Sequence, residues 1–187
     1  MSNGPFEIDV DTLGNLRPIS KVVFSLGSNL GDSAAILQEA VDFLAETPDL
    51  MLVDVSPVYE SALVGEGPDQ GDFLNMVVVA ESTLEPLTIL DRCLAIEENF
   101  GRSREVRNGP RTLDIDIIMV GKRISEDDIE LPHPRAHERA FVLVPWHDID
   151  PNGEIAGHGP IADLLDDVDA TVLKRRDDVK IQANTGF

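Results

Sequence analysis

Asp114-Ile115-Asp116 is the first place in this chain where residue type and spacing suggest chemistry. The pair lies in Leu113–Val120, an apolar run that reads as a strand closed by Gly121. Strand side chains alternate. The two carboxylates therefore share one face, about 7 Å apart, while Leu113, Ile115, Ile117 and Met119 fill the other. Two such carboxylates can hold one or two hard cations through oxygen ligands. Spacing alone decides little, because Asp9/Asp11, Asp148/Asp150 and Asp167/Asp169 repeat it. Only the Asp114 pair sits in a strongly apolar strand, where uncompensated carboxylates are costly. A solvated strand face is the competing reading.

The second signal is cationic. The chain carries 15 Lys+Arg against 35 Asp+Glu, a formal net charge of −20. Such a charge argues against nucleic acid and anionic membranes as partners. Positions 22–91 hold no Lys or Arg, and then Arg102, Arg104, Arg107 and Arg111 arrive just ahead of Asp114. Arginine forks bind phosphate oxygens bidentately. Mg²⁺ commonly reaches a protein through one or two carboxylates, with nucleotide phosphates filling its octahedron. Together these are the parts of a phosphoryl-transfer site, where the protein positions groups and neutralises charge. Alternatively, the arginines pair with surface carboxylates, at about 0–1 kcal/mol each. No G-x-x-x-x-G-K-[ST] or kinase Gly-rich loop is present, and Gly65-x-Gly67-x-x-x-Gly71 has the wrong spacing in an acidic setting. Bound nucleotide would therefore depend on arginines and metal.

Other residues stand out less sharply. Asn75 lies in the apolar run Phe73–Ala80, where a buried amide needs partners, and a flat heterocycle with amide-like edges would supply them. Phe73 and Phe141 read by default as core residues. His133, between Pro132 and Pro134, suits either a turn hydrogen bond or a phosphate contact. His137 reads as an exposed helix residue. His147 and His158 have no metal-ligand spacing, and Cys93 reads as packing.

The elements that must position these groups follow from periodicity. Lys21–Leu26 reads as a buried strand running into a loop at Gly27-Ser28-Asn29. Asp32 caps a helix with Ile36, Leu37, Ala40, Val41 and Leu44 on one face. Met51–Tyr59 reads as one alternating strand and Ser61–Asp72 as a loop. Phe73–Ala80 is a central strand. Ser82-x-x-Glu85 resembles a capping box for a helix to Phe100, with Leu87, Leu90, Leu94 and Glu97 down one face and Gly101 ending it. Phe141–Trp146 is apolar and of unassigned type. Ile161–Leu165 reads as a short helix and Val179–Gln182 as an edge strand. This order predicts an α+β fold with a mainly antiparallel sheet.

The segment Arg107-Asn108-Gly109-Pro110-Arg111-Thr112-Leu113-Asp114-Ile115-Asp116 resembles the signature of the 6-hydroxymethyl-7,8-dihydropterin pyrophosphokinase (HPPK) family of folate biosynthesis. Phe24–Asp32, Ser56–Ser61, Asp72–Asn75, Leu131–Arg135 and Glu138–Leu143 are similar to its other blocks, in the family's order, over about residues 22–151. Where many relatives carry Trp before Gly-Pro-Arg, this chain has Asn108. The resemblance implies a ferredoxin-like α/β/α sandwich with helices on both faces of the sheet. It implies transfer of the terminal two phosphates of ATP to the pterin hydroxymethyl group, with AMP leaving. It assigns Asp114 and Asp116 to two Mg²⁺ ions, and Arg102 and Arg111 to the triphosphate as catalytic groups. Leu90, Glu97, Arg104, Ile117, His133 and Arg139 would line the ATP site. Ser61, Ala62, Val64, Phe73, Asn75 and Phe141 would bind the pterin. Association with neighbouring folate-pathway enzymes is a further expectation.

Residues 1–20 read as an N-terminal extension and 21–187 as one catalytic domain, whose acidic part 152–187 lies beyond the resemblance. A single cysteine, no export signal and no apolar run of 18 residues point to a cytoplasmic protein.

Overall fold

A computed structural model describes residues 17–29, 31–61, 73–101 and 113–185. Its framework is an antiparallel sheet in the order β5-β1-β4-β3-β8, with β2 also paired to β4. β1 spans Ser20–Ser28, β2 Leu50–Val55, β3 Tyr59–Ser61, β4 Phe73–Ser82, β5 Asp114–Val120 and β8 Leu173–Arg175. β2 and β3 pair with successive stretches of β4. Helix α1, Ser33–Ala45, crosses from β1 to β2, and α2, Pro86–Asn99, crosses from β4 to β5. Each crossover passes one strand, giving the ferredoxin-like arrangement.

The two faces of the sheet carry separate cores. Val22, Phe24 and Leu26 of β1 and Leu74, Met76 and Val78 of β4 meet Leu37, Ala40, Val41 and Leu44 of α1 and Ile89, Cys93 and Ile96 of α2. The alternate residues Val23, Val77 and Val79 meet Val142, Leu143 and Trp146 of α3, Ala140–Ile149. Full burial of a Val, Leu, Ile, Phe or Met side chain contributes about 1.5–3 kcal/mol. α3 thus supplies the third layer, and it occupies the stretch of unassigned type. Pro145 inside it removes one helical hydrogen bond. Trp146 Nε1 donates to Asp150 Oδ2 at 3.0 Å, and Lys21 Nζ reaches the same oxygen at 2.9 Å. These contacts tie the end of α3 to the start of β1.

Several local expectations are corrected. β1 runs on to Ser28, so Ser28 belongs to a strand, not a turn, and Ser28 and Asn29 are both buried. Met51–Tyr59 is two strands, because Pro57 cannot donate to a ladder and Ser56 turns to bond Val77. A register shift between Leu52 and Asp54 also breaks the simple alternation. The capping box does not form. Ser82 Oγ donates to Asp49 O at 2.6 Å, and Glu85 pairs with Arg123 at 2.9 Å. The buried face of α2 is Ile89, Cys93, Ile96 and Glu97, while Leu87 is exposed. Val179–Gln182 is not a strand. The added strand is β8, and Val179 and Ile181 pack against the first core instead. Asp32 caps α1 through Ala35 N as expected, and Gly101 follows α2 with φ +72°.

After α3 come a two-residue hairpin, β6 Glu154–Ile155 with β7 Gly159–Pro160, and a short helix α4, Ile161–Leu164. Two 3₁₀ turns, Leu165–Asp167 and Ala170–Val172, then lead into β8. Among the described residues no helix is long and apolar enough to cross a membrane.

Candidate active site

α3 covers only part of its face of the sheet. Beside its N-terminus lies a cleft of about 740 Å³, within the range of small-ligand sites. The floor is built by strand register. Asp114 pairs with Gly27, Gly27 with Asn75, and Asn75 with Tyr59, while Asp116 pairs with Ser25. Opposed residues share a face, so the carboxylate pair, Ser25, Gly27 and Asn75 all look into one space. The structure brings Ser61, Phe73, Asn75, Asp114, Asp116, Arg139 and Phe141 to this cleft.

Each residue is held by an identifiable device. Asn75 Nδ2 donates to Ser61 Oγ at 2.7 Å, which fixes the amide across two strands. A Cβ at Gly27 would meet Asn75 Oδ1 at 3.3 Å and Phe73 Cδ1 at 3.7 Å. Glycine there keeps open a flat cradle between the amide and the ring. Arg139 occupies the N-cap position of α3, lies 5.4 Å from the Phe141 ring centroid and reaches Asp116 at 4.0 Å. Phe73 and Phe141 are half-buried at the cleft, so neither is a plain core residue. Burial lowers the pKa of Arg139, and Asp116 opposes that shift. Burial likewise pushes His133 below its usual value, against the field of Asp116.

Other predicted residues lie elsewhere. Ile117 faces the first core, on the opposite side of β5 from Asp116. Leu90 and Glu97 belong to α2 on that same side, with Leu90 half-buried and Glu97 buried. His133 flanks the β5 edge, its N–H donating to Ile118 O at 2.8 Å while its Nδ1 accepts from Arg135 N. His137 is half-buried in the Ala136–Glu138 turn and stacks on His158 at 3.8 Å, so it is not the exposed helix residue expected. Ala62, Val64, Arg102, Arg104, Arg107, Asn108 and Arg111 lie outside the described residues.

Sequence reasoning missed Ser25, Gly27, Glu138 and the far wall, Asp167–Leu173. Ser25 and Gly27 were visible as small residues ending an apolar strand. The wall left no periodic signal.

Electrostatics constrain what the cleft accepts. Its described lining holds Asp114, Asp116, Glu138, Asp167 and Asp169 against Arg139. A polyphosphate needs further positive charge to enter. Asp114 and Asp116 suit Mg²⁺: two hard-oxygen donors share one face above Gly27 and Ser25, whose size leaves room for phosphate and water ligands. Among the described residues no group of three or more His, Cys, Asp or Glu could hold a metal, so most ligands would come from substrate or solvent. The N-terminal end of the α3 dipole adds a favourable field, with Ala140 lining the cleft.

Comparison with known proteins gives consistent relationships. The family model described as 7,8-dihydro-6-hydroxymethylpterin-pyrophosphokinase (HPPK) matches residues 23–151. The 2-amino-4-hydroxy-6-hydroxymethyldihydropteridine pyrophosphokinase of Methylorubrum extorquens is 40% identical over 158 residues, covering 84% of this chain and 99% of that protein. The Bacillus subtilis enzyme of the same name is 42% identical over 126 residues, covering 67% and 75%. A bifunctional protein FolKE of Lactococcus lactis is 43% identical over 122 residues, covering 65% of this chain and 35% of its own length. In fold, the chain is similar to Plasmodium falciparum HPPK-DHPS solved with pteroate, with TM-score 0.63, 14% identity and 82% of this chain covered. The chain spans 45% of that bifunctional protein.

Proposed function

The chain belongs to the 7,8-dihydro-6-hydroxymethylpterin-pyrophosphokinase family, and from that premise we propose how its own residues carry out the family reaction. It transfers pyrophosphate from ATP to 6-hydroxymethyl-7,8-dihydropterin in folate biosynthesis. The hydroxymethyl oxygen attacks the β-phosphorus of ATP, the bond from that phosphorus to the α-β bridging oxygen breaks, and AMP leaves.

In our reading Asp114 and Asp116 hold two Mg²⁺ ions, which would supply neutralising charge to the triphosphate. The observation that carries this reading is the shared row of Asp114, Gly27 and Asn75, which sets a carboxylate pair and an amide-floored cradle on one surface. Asn75 hydrogen-bonds the pterin, with Phe73 and Phe141 against the ring and Ser61, Ala62 and Val64 along one edge. Ser61 supports this placement by fixing the Asn75 amide. Arg102 and Arg111 contact the triphosphate and stabilise developing charge. Arg104, Arg139 and His133 complete the nucleotide contacts. With Asp116 and Ile117 on opposite faces of β5, the nucleotide would pass over the edge of that strand. Its phosphates would then lie in the cleft and its base near Leu90, Glu97 and Ile117. His133 sits at that edge.

The same proposal treats residues 21–187 as one catalytic domain in the cytoplasm and residues 1–20 as an extension. The bifunctional relatives support association with other folate-pathway enzymes. The deciding experiment incubates the protein with ATP, Mg²⁺ and 6-hydroxymethyl-7,8-dihydropterin and follows nucleotide products. AMP is expected; ADP would refute pyrophosphoryl transfer.

A further inference from the structure

Arg139 enters the cleft from a short turn whose outer side rests on another part of the chain. The 3₁₀ turn Ala136–Glu138 directly precedes it and is closed by Arg139 N donating to Ala136 O at 3.3 Å. Ala136 is buried in the second core, whereas Glu138 is exposed and lines the cleft. Between them, the His137 ring lies flat on the ring of His158, with centroids 3.8 Å apart and planes 9° from parallel. His158 follows position 151, where the family model's match ends.

The contact is prepared from both sides. His137 Nδ1 is buried and has no hydrogen-bond partner among the described residues, so the ring is held by its face and not through that nitrogen. His158 sits at the turn of the β6–β7 hairpin, between Gly157 at φ +79° and Gly159 at φ +93°. A Cβ at either glycine would meet nothing within 4 Å, so backbone conformation, not space, calls for glycine there. His158 N donates to Ile155 O at 2.9 Å, and Ile155 within the hairpin and Ile161 just after it are buried in the second core. Ile161 N also donates to Gly153 O at 2.9 Å, and a Cβ at Gly153 would stand 2.9 Å from both Asp150 Oδ2 and Trp146 Nε1. The hairpin is thus seated on the end of α3, while its tip reaches back to the turn that begins α3.

We propose that His158 is a positioning residue for pyrophosphoryl transfer: its ring, through His137, fixes the turn that aims Arg139 at the nucleotide beside Asp116. The inference rests on the nucleotide contact proposed above for Arg139. The guanidinium has no close side-chain bond of its own, with Asp116 at 4.0 Å and the Phe141 centroid at 5.4 Å. Its direction therefore follows from where the backbone before it is held. A single 3₁₀ turn has poor hydrogen-bond geometry and holds itself weakly. A flat ring contact on its middle residue adds the missing restraint, since stacked rings fix orientation as well as burying area.

The test measures AMP release at varied ATP, with saturating Mg²⁺ and 6-hydroxymethyl-7,8-dihydropterin. The proteins are His158→Ala, His158→Phe, Arg139→Ala and the double variant Arg139→Ala/His158→Ala, each with a thermal melt. His158→Ala should lower kcat/KM for ATP about 3- to 10-fold, a fraction of the roughly 100-fold that a misplacement of about 1 Å can cost. His158→Phe keeps a flat ring and should return to within about twofold of the parent protein. In the Arg139→Ala background, His158→Ala should cost less than about twofold further, because both changes remove the same interaction. Unchanged kcat/KM in folded His158→Ala, no recovery in folded His158→Phe, or losses that multiply in the double variant would each overturn the proposal. Unchanged kinetics in Arg139→Ala would instead overturn the nucleotide contact itself, and the inference with it, a distinct result.

Discussion

Gly27→Ala tests the pterin cradle at its most confined point. The added methyl would sit 3.3 Å from Asn75 Oδ1, 3.7 Å from Phe73 Cδ1 and 3.9 Å from Leu74 O. None of these contacts is a severe clash, and the longer two are ordinary van der Waals distances. The strand should form, with a stability loss of about 1 kcal/mol or less as Asn75 shifts by a few tenths of an ångström. The substrate is affected more. A flat ring lying on this floor needs the depth the methyl fills, and Asn75 must keep its present orientation to bond it. We expect kcat/KM for the pterin to fall about 10- to 100-fold, equivalent to roughly 1.4–2.7 kcal/mol, with KM for ATP within about twofold. The assay is AMP release at varied pterin and saturating MgATP, alongside a thermal melt. Unchanged pterin kinetics in a folded protein would show that the ring does not lie over Gly27.

Asp116→Ala should abolish Mg²⁺-dependent turnover while the protein still folds, as read by a thermal melt; retained turnover would sink the metal assignment. Arg111→Ala should lower kcat more than it weakens ATP binding, and a rise in KM alone would assign the arginine to uniform binding. Tyr59, bonded to Asp148, is pushed up to about 12 by burial first and then by that carboxylate. Its folded pKa exceeds its unfolded value of about 10, so its contribution is fully present below pH 10 and is lost as pH rises toward 12. Tyr59→Phe should therefore cost about 1 kcal/mol at pH 8 and flatten the alkaline loss of stability, measured by urea unfolding at pH 8, 10 and 11.5.

Strong periodicity was legible and weak periodicity was not. β1, β4, β5 and α1 carry long apolar patterns, and the face shared by Asp114 and Asp116 followed directly from strand alternation. Asn75 was conspicuous as an amide in an apolar run, and its partner Ser61 lies across a strand pair that sequence alone does not register. α3 stayed unassigned because it is apolar nearly all round and contains Pro145, so neither period nor composition separates helix from strand. The α2 capping box failed because Ser82 and Glu85 found tertiary partners in Asp49 and Arg123. Leu173 and Val172 were invisible as site residues because elements of two to four residues carry no measurable period.

The shift in pairing between β1 and β5 has a consequence for chain length. Phe24 pairs with Ile117 but Val23 pairs with Met119, so Ile118 is the extra residue of a bulge. Deleting Ile118 would join two halves whose inward and outward sides already agree. Deletion at Ile115 would instead break the carboxylates' shared face, by the period-two rule. Ile118 is thus the position in this strand where a gap between homologues can be absorbed. It is not idle, because its carbonyl receives the His133 N–H. A shorter strand would keep its alternation and its acidic face but lose a fully buried side chain of the second core and the carbonyl that receives the Leu131–Pro134 turn.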